Sequence, residues 1–357
     1  MRSNGSLNVF ESVGPTLEST AAKIGADFLA FLDEWHQHEV FDDELDAQIH
    51  RWYADVNRER PPRGAVYFSP SATGASDREL YVKMIGHKRD ERKQPPHQGR
   101  WTRIGTAIGD VIQRDILFAE KHFEAKTGNP PPFKFVRDAQ GRPLFEDFAQ
   151  KYMAFSFDGV DMAVYGTCDG IMKYYDYESG EVYRVGLEVK SKQTTAAVTS
   201  SYSMRNGPDP KHVAQTNVYS IMYGSEVDPI DFYIVLYVNA AKKSWNMSAE
   251  DYEKTPDIAV FCYPIEEAAQ VGVLQKFANV IRAAAAKEPP PLDLFAWTFN
   301  NYKRACALDL SVSEVAGLAA KVDAIKESSL KPHIIADVVR AFDHIIEIRE
   351  AEGFPNG

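Results

Sequence analysis

Residues 166–190, GTCDGIMKYYDYESGEVYRVGLEVK, decide how the rest of the chain is read. Two stretches with strand character, 162–175 and 181–192, flank the turn-forming run Asp176-Tyr177-Glu178-Ser179-Gly180. In the second stretch Tyr183, Val185, Leu187 and Val189 alternate with Arg184, Gly186, Glu188 and Lys190. A period of two buries the first set and projects Glu188 and Lys190 side by side from the other face. Closing the hairpin brings Asp169, on the first strand, next to that pair. Two carboxylates and one ammonium on a rigid sheet suit a hard cation with a positive group beside it, which is equipment for metal-assisted phosphodiester hydrolysis. An E-x-K on a strand is ordinarily a solvated face. Here the hairpin spacing, the small residues Gly166 and Gly170 beside the carboxylate, and a helix that follows set it apart. As exposed site residues, Glu188 and Lys190 are expected to contribute little to packing.

The 357 residues suffice for one large domain or for one domain with additions. Apolar residues at 44% and charged residues at 25% are those of a globular chain. No run of 18 apolar residues and no apolar core near the N-terminus is present, so the expected location is the cytoplasm (the host's, if phage-encoded), with no membrane partner. Cys168, Cys262 and Cys306 lie far apart, which indicates neither a disulfide framework nor a cysteine metal cluster. The net charge of -11 argues against a passive nucleic-acid coat. The charge is uneven, however. Residues 1–60 carry 5 Lys/Arg against 12 Asp/Glu, whereas residues 78–103 carry 8 against 3. The second stretch can hold phosphates.

Residues 15–60 read as helical and acidic, and the run Arg60-Pro61-Pro62-Arg63-Gly64 ends them. Ser71 or Thr73 is a candidate cap for a helix carrying Arg78, Leu80, Tyr81 and Met84. The basic segment 87–101 reads as a loop, with Arg92, Lys93 and Arg100 as candidate DNA contacts. A helix over 102–123 follows, with Gly105 and Gly109 baring one face for close approach and Asp110 beside it. Residues 134–192 are strand-rich and 193–210 are a long polar loop. A helix from 211 then sets His212, Gln215 and Tyr219 on one face. Residues 228–240 are nearly continuously apolar, hence a buried strand, and 257–265 another. Three helical stretches, 264–287, 311–327 and 332–352, close the chain. The expected organisation is an acidic helical segment (1–62), a core (63–288) and a C-terminal helical segment (289–357). No Walker A loop, HExxH, GxSxG or dinucleotide fingerprint occurs.

Asp169, then Glu188-Val189-Lys190, then Gln215-x-x-x-Tyr219, preceded by Gly105-Thr106-x-x-Gly109-Asp110, resembles the PD-(D/E)XK nuclease superfamily, in its RecB-like and phage-type exonuclease branch. The resemblance spans roughly half the chain and includes the opening FSPSATGASDREL. It implies an α/β, restriction-endonuclease-like fold: a mixed central sheet flanked by helices, with helical additions at both ends. It further implies a DNA exonuclease dependent on Mg²⁺ or Mn²⁺, acting in phage or mobile-element recombination or DNA processing. Asp169 and Glu188 would hold the cation, with the Val189 carbonyl and Asp110 completing the sphere. Lys190 would orient or deprotonate the attacking water or neutralise developing charge, and Gln215 and Tyr219 would hold the DNA backbone or order the site. The family's helix histidine is replaced here by Gly109, for which Asp110 is the substitute, and the family's proline by Cys168. The cysteines of the iron–sulfur relatives are missing, so no cluster is expected. DNA is the implied partner, with room for a single-strand annealing or recombination protein and for a homo-oligomer. Two other readings share the scaffold: a catalytically silent relative that binds DNA or a partner, and a structure-specific endonuclease.

Overall fold

The computed structural model of the chain describes residues 16–91, 94–241 and 244–356. Among them are seven strands: β1 (Phe133–Phe135), β2 (Lys151–Phe157), β3 (Val160–Gly166), β4 (Gly170–Tyr175), β5 (Val182–Lys192), β6 (Phe232–Asn239) and β7 (Ile258–Pro264). Five form a mixed sheet in the order β1-β4-β5-β6-β7, while β2 and β3 pair as a separate antiparallel ribbon. The helices are α1 (Leu17–Trp35), α2 (Asp43–Asp55), α3 (Asp77–Met84), α4 (Pro96–Thr127), α5 (Glu146–Ala149), α6 (Ser201–Met204), α7 (Pro210–Tyr223), α8 (Ala249–Lys254), α9 (Glu267–Ala286), α10 (Lys303–Leu308), α11 (Val312–Lys326) and α12 (Pro332–Ala351). The expected fold class, a mixed α/β sheet flanked by helices, is found.

The period of two sorts side chains onto two covered faces. Val185 and Leu187 of β5, with Phe232, Ile234 and Leu236 of β6, pack against Phe28, Phe31 and Leu32 of α1 and Ile116 of α4. On the opposite face Ile171 and Tyr233 join Val218 and Met222 of α7 and Phe277 of α9, and α3 and the C-terminal helices continue that cluster. β4 runs antiparallel to β5, whereas β5 and β6 are parallel. A parallel pair needs a crossover, and residues 193–231, which include α6 and α7, supply it. α7 is thereby laid on the face toward which Glu188 and Lys190 alternate.

Four expectations change. The stretch 162–175 is not one strand. It breaks at 167–169, where the Thr167 hydroxyl donates to the Glu146 carbonyl and the Glu146 N–H donates to the Cys168 carbonyl at 2.9 Å. The cap of α3 is Ser76, whose Oγ accepts from Glu79 N–H at 3.3 Å, rather than Ser71 or Thr73. The basic segment is not a loop throughout, because α4 starts at Pro96 and Arg100 is helical; proline fits the first helical turn, where no intrahelical N–H bond is lost. Arg92 and Lys93 lie outside the described residues. The polar stretch 193–210 contains the short helix α6.

Arg78, one of the basic residues of 78–103, is fully buried. Its guanidinium donates to the carbonyls of Pro290 at 2.8 Å and Asp309 at 2.9 Å, and to Glu314 Oε1 at 2.9 Å. The charge therefore anchors the C-terminal helices to α3. Removing one partner of a buried pair leaves the others uncompensated and costs about 3–5 kcal/mol. Arg78→Ala should lower unfolding stability by about that amount in a urea titration. Arg282→Ala, at an exposed pair with Asp158, should cost at most about 1 kcal/mol.

Candidate active site

Gly170 of β4 lies opposite Leu187 of β5, so Asp169, one residue before β4, stands opposite Glu188. Its Oδ2 accepts the Val189 N–H at 2.7 Å, a side chain taking the place of the next ladder bond. Its carbonyl accepts from Gln113 Nε2 of α4 at 2.9 Å. The loop is thus fixed to both the strand and the long helix. Burial raises the Asp169 carboxyl above the ordinary range although the Val189 N–H opposes the shift.

Glu188 is 2% exposed, not the solvated residue expected from an E-x-K strand. The reason is the crossover: α7 covers the face that alternation assigns to Glu188. One carboxylate oxygen is paired with the Lys190 ammonium. The other, Oε2, has no hydrogen-bond partner among the described residues. Burial first, and the nearby Asp169 second, push the Glu188 carboxyl up to about 8. Lys190 Nζ also donates to Gln215 Oε1 at 3.3 Å, and Gln215 Nε2 donates to the Tyr219 hydroxyl at 3.2 Å. Gln215 and Tyr219 are themselves buried, so the pair sits behind Lys190 and sets its direction.

Asp110 is exposed on α4. A Cβ on Gly109 would lie 3.9 Å from Glu146 Oε1, and one on Gly105 only 2.9 Å from Ser191 Oγ. The helix face read as bare is therefore approached by the end of β5 and by a carboxyl that the sequence reading did not single out. Glu146 has φ of 40°, left-handed backbone that a residue with a Cβ adopts at a cost. Its carboxyl is pushed up to about 7 by burial first, then by Asp110 and Asp169, and it lies within hydrogen-bonding reach of Asp110 and Gln113. Gln113 Oε1 is buried without a partner among the described residues. Nothing in FEDFA distinguishes Glu146 from its neighbour Asp147, because its placement depends on a backbone conformation that residue type does not announce.

Four carboxyls thus form a row of neighbours, Asp110 beside Glu146, Glu146 beside Asp169, and Asp169 beside Glu188 with its Lys190 ammonium. Among the described residues no three His, Cys, Asp or Glu side chains form a ready cage for a metal ion. Mg²⁺ does not need one, since it is held through one or two carboxylates together with water and substrate phosphate oxygens. The unpartnered Glu188 Oε2 beside Asp169 is a hard oxygen donor of that kind. The residues present fit such a cation.

His212, one turn before Gln215 on α7, is buried, with Nδ1 2.8 Å from the Tyr237 hydroxyl. Burial, then the Lys190 charge, lowers its pKa from 6.5 to about 4. A histidine depressed in the folded state binds more protons when unfolded, so its contribution to stability is present above 6.5 and is lost as pH falls toward 4. Comparison of wild type with His212→Gln in urea titrations between pH 7 and pH 4 should show the wild type losing about 1–2 kcal/mol more than the variant. Parallel pH profiles would mean that the imidazole is not held neutral.

No protein-family model matches the sequence, and no curated protein does. Solved structures with a similar chain path include SSO0001, with a TM-score of 0.35, 10% identity, and coverage of 75% of this chain and 96% of that one. Another is an alkaline exonuclease from Laribacter hongkongensis, with a TM-score of 0.31, 9% identity, and coverage of 62% and 89%. The same exonuclease in complex with dAMP gives a TM-score of 0.30 at 8% identity over 61% and 92%.

Proposed function

We propose that this chain is a DNA exonuclease dependent on Mg²⁺ or Mn²⁺. The observation that carries the reading is the buried Glu188, one oxygen paired with Lys190 and the other unsatisfied beside Asp169. A buried carboxylate is costly unless a cation compensates it, and a single lysine does not compensate this group of acids.

Asp169 and Glu188 would hold the cation, with the Val189 carbonyl, Asp110 and Glu146 as further oxygen donors. The bound ion would lower the pKa of a water and offset charge on the attacked phosphate. Lys190, directed by Gln215 and Tyr219, holds an ammonium where a phosphate oxygen gains charge as the water oxygen bonds to phosphorus and the P–O ester bond breaks. The proton released by the water ends on the leaving sugar oxygen. Arg100, exposed on the first half of α4, would meet the phosphate backbone outside the centre.

The test uses end-labelled linear DNA and closed circular DNA, each with Mg²⁺, with Mn²⁺ and with EDTA. Linear DNA should be degraded only with a cation, and circles should survive; cut circles would make the enzyme an endonuclease. Glu188→Gln is the informative substitution, because truncating a buried side chain to Ala would also open a cavity. Glu188→Gln and Lys190→Ala should each reduce cleavage by about a hundredfold or more. Glu146→Gln should weaken Mn²⁺ binding, followed by electron paramagnetic resonance, by about tenfold. Full activity in the Glu188 or Lys190 variant would overturn the assignment.

A further inference from the structure

A cleft of about 1280 Å³, whose lining includes none of the four carboxyls, lies between the 86–91 segment with Gln94 and the C-terminal helical segment. Its walls carry Lys88, Arg89, Lys303 and Arg304 against the acids Asp90 and Glu91. Asp90 holds the walls in place, for its carboxylate accepts the backbone N–H groups of Lys303 at 2.5 Å and Arg304 at 3.3 Å. Its own N–H donates to the Asn301 carbonyl at 2.9 Å. Arg89 reinforces the same join through Asn301 Oδ1 at 2.5 Å. The two walls are therefore locked together at Asp90. The Lys88 ammonium has no hydrogen-bond or ion-pair partner among the described residues, and Arg304 is met at the rim, by Glu352.

Phe299 lines this cleft and is 84% exposed. An aromatic ring held in water inside a basic cleft loses apolar free energy for no packing return. Cations along a groove, with a bare aromatic face among them, are the chemistry that takes a single-stranded nucleic acid: phosphates meet the cations and an unstacked base lies on the ring. A duplex keeps its bases stacked on each other and has none to offer Phe299. Gln94 of the cleft lining precedes α4 by two residues, and α4 runs from Pro96 to Asp110 over ~21 Å at 1.5 Å per residue.

We propose that this cleft binds a single DNA strand, with a base stacked on Phe299 and phosphates held by Lys88 and Arg304, and that α4 connects it to the carboxyl cluster. The choice of DNA as the strand rests on the nuclease reading, but the site itself needs neither the cation nor cleavage.

The experiment is fluorescence anisotropy with a labelled oligothymidylate and with a duplex of the same length, in EDTA so that nothing is cut. Phe299→Ala removes an exposed ring and should leave the melting temperature unchanged. It should weaken single-strand binding at least fivefold while changing duplex binding less than twofold. Lys88→Gln combined with Arg304→Gln should flatten the salt dependence of single-strand binding by roughly 1.4 log units per log unit of salt, the share of two phosphates. Single-strand affinity of Phe299→Ala within twofold of wild type, or equal losses for strand and duplex, would overturn the proposal. These outcomes are separable from the fate of the carboxyl centre. A chain that cleaves DNA through Glu188 but ignores Phe299 loses only the cleft, and one that binds strands through Phe299 without cutting loses only the nuclease.

Discussion

Glu188 lies in a strand covered on both faces, and taking a carboxylate out of water costs several kcal/mol unless something compensates it. Much of the surrounding architecture answers that cost. Lys190 is two residues along the same strand, so the sheet itself holds its ammonium against one oxygen. Gln215 and Tyr219 come from the crossover helix and fix the lysine from behind. Asp169 is pinned by the Val189 N–H and by Gln113. What no described side chain supplies is a partner for Glu188 Oε2. A protein that merely needed a stable sheet would place a valine here, so the unmet oxygen is what sets this position apart from the core around it.

Much of this was legible in the sequence, for a physical reason. Alternation in 182–190 fixes which residues share a face, and a tight turn fixes what stands opposite, so Asp169, Glu188 and Lys190 follow from local rules. The continuous apolar run at 232–239 likewise announces a strand covered on both sides. What could not be read is what depends on distant chain. Glu188 looked solvated because nothing local says that α7 will cover it. The break at 167–169 is set by bonds to Glu146, some twenty residues away. Glu146 itself depends on a left-handed backbone conformation that no neighbouring glycine or asparagine signals.

The charge distribution teaches the same lesson. Residues 78–103 look like one basic patch when counted, yet Arg78 is fully buried and serves the join between α3 and the C-terminal helices. Asp90 and Arg89 tie the same two parts of the molecule further out. Counting charge along sequence therefore overstates what is available to phosphate. The cations that remain for a ligand are those whose partners are at the rim or lacking.

The crossover between β5 and β6 also has a consequence for how the protein comes into being. A parallel strand pair cannot close until its whole connection has been made, and non-local pairings of this kind form late. Lys190 takes its second partner, Gln215, from α7, which lies within the connection between β5 and β6. During synthesis α4 and the β4–β5 hairpin therefore emerge before the strand that completes the parallel pair. A ribosome-bound fragment ending before β6 carries Asp110, Glu146, Asp169, Glu188, Lys190 and Gln215 but lacks the strand beside which β5 pairs. The topology thus ties the pairing of β5, which carries Glu188 and Lys190, to near-completion of the central sheet.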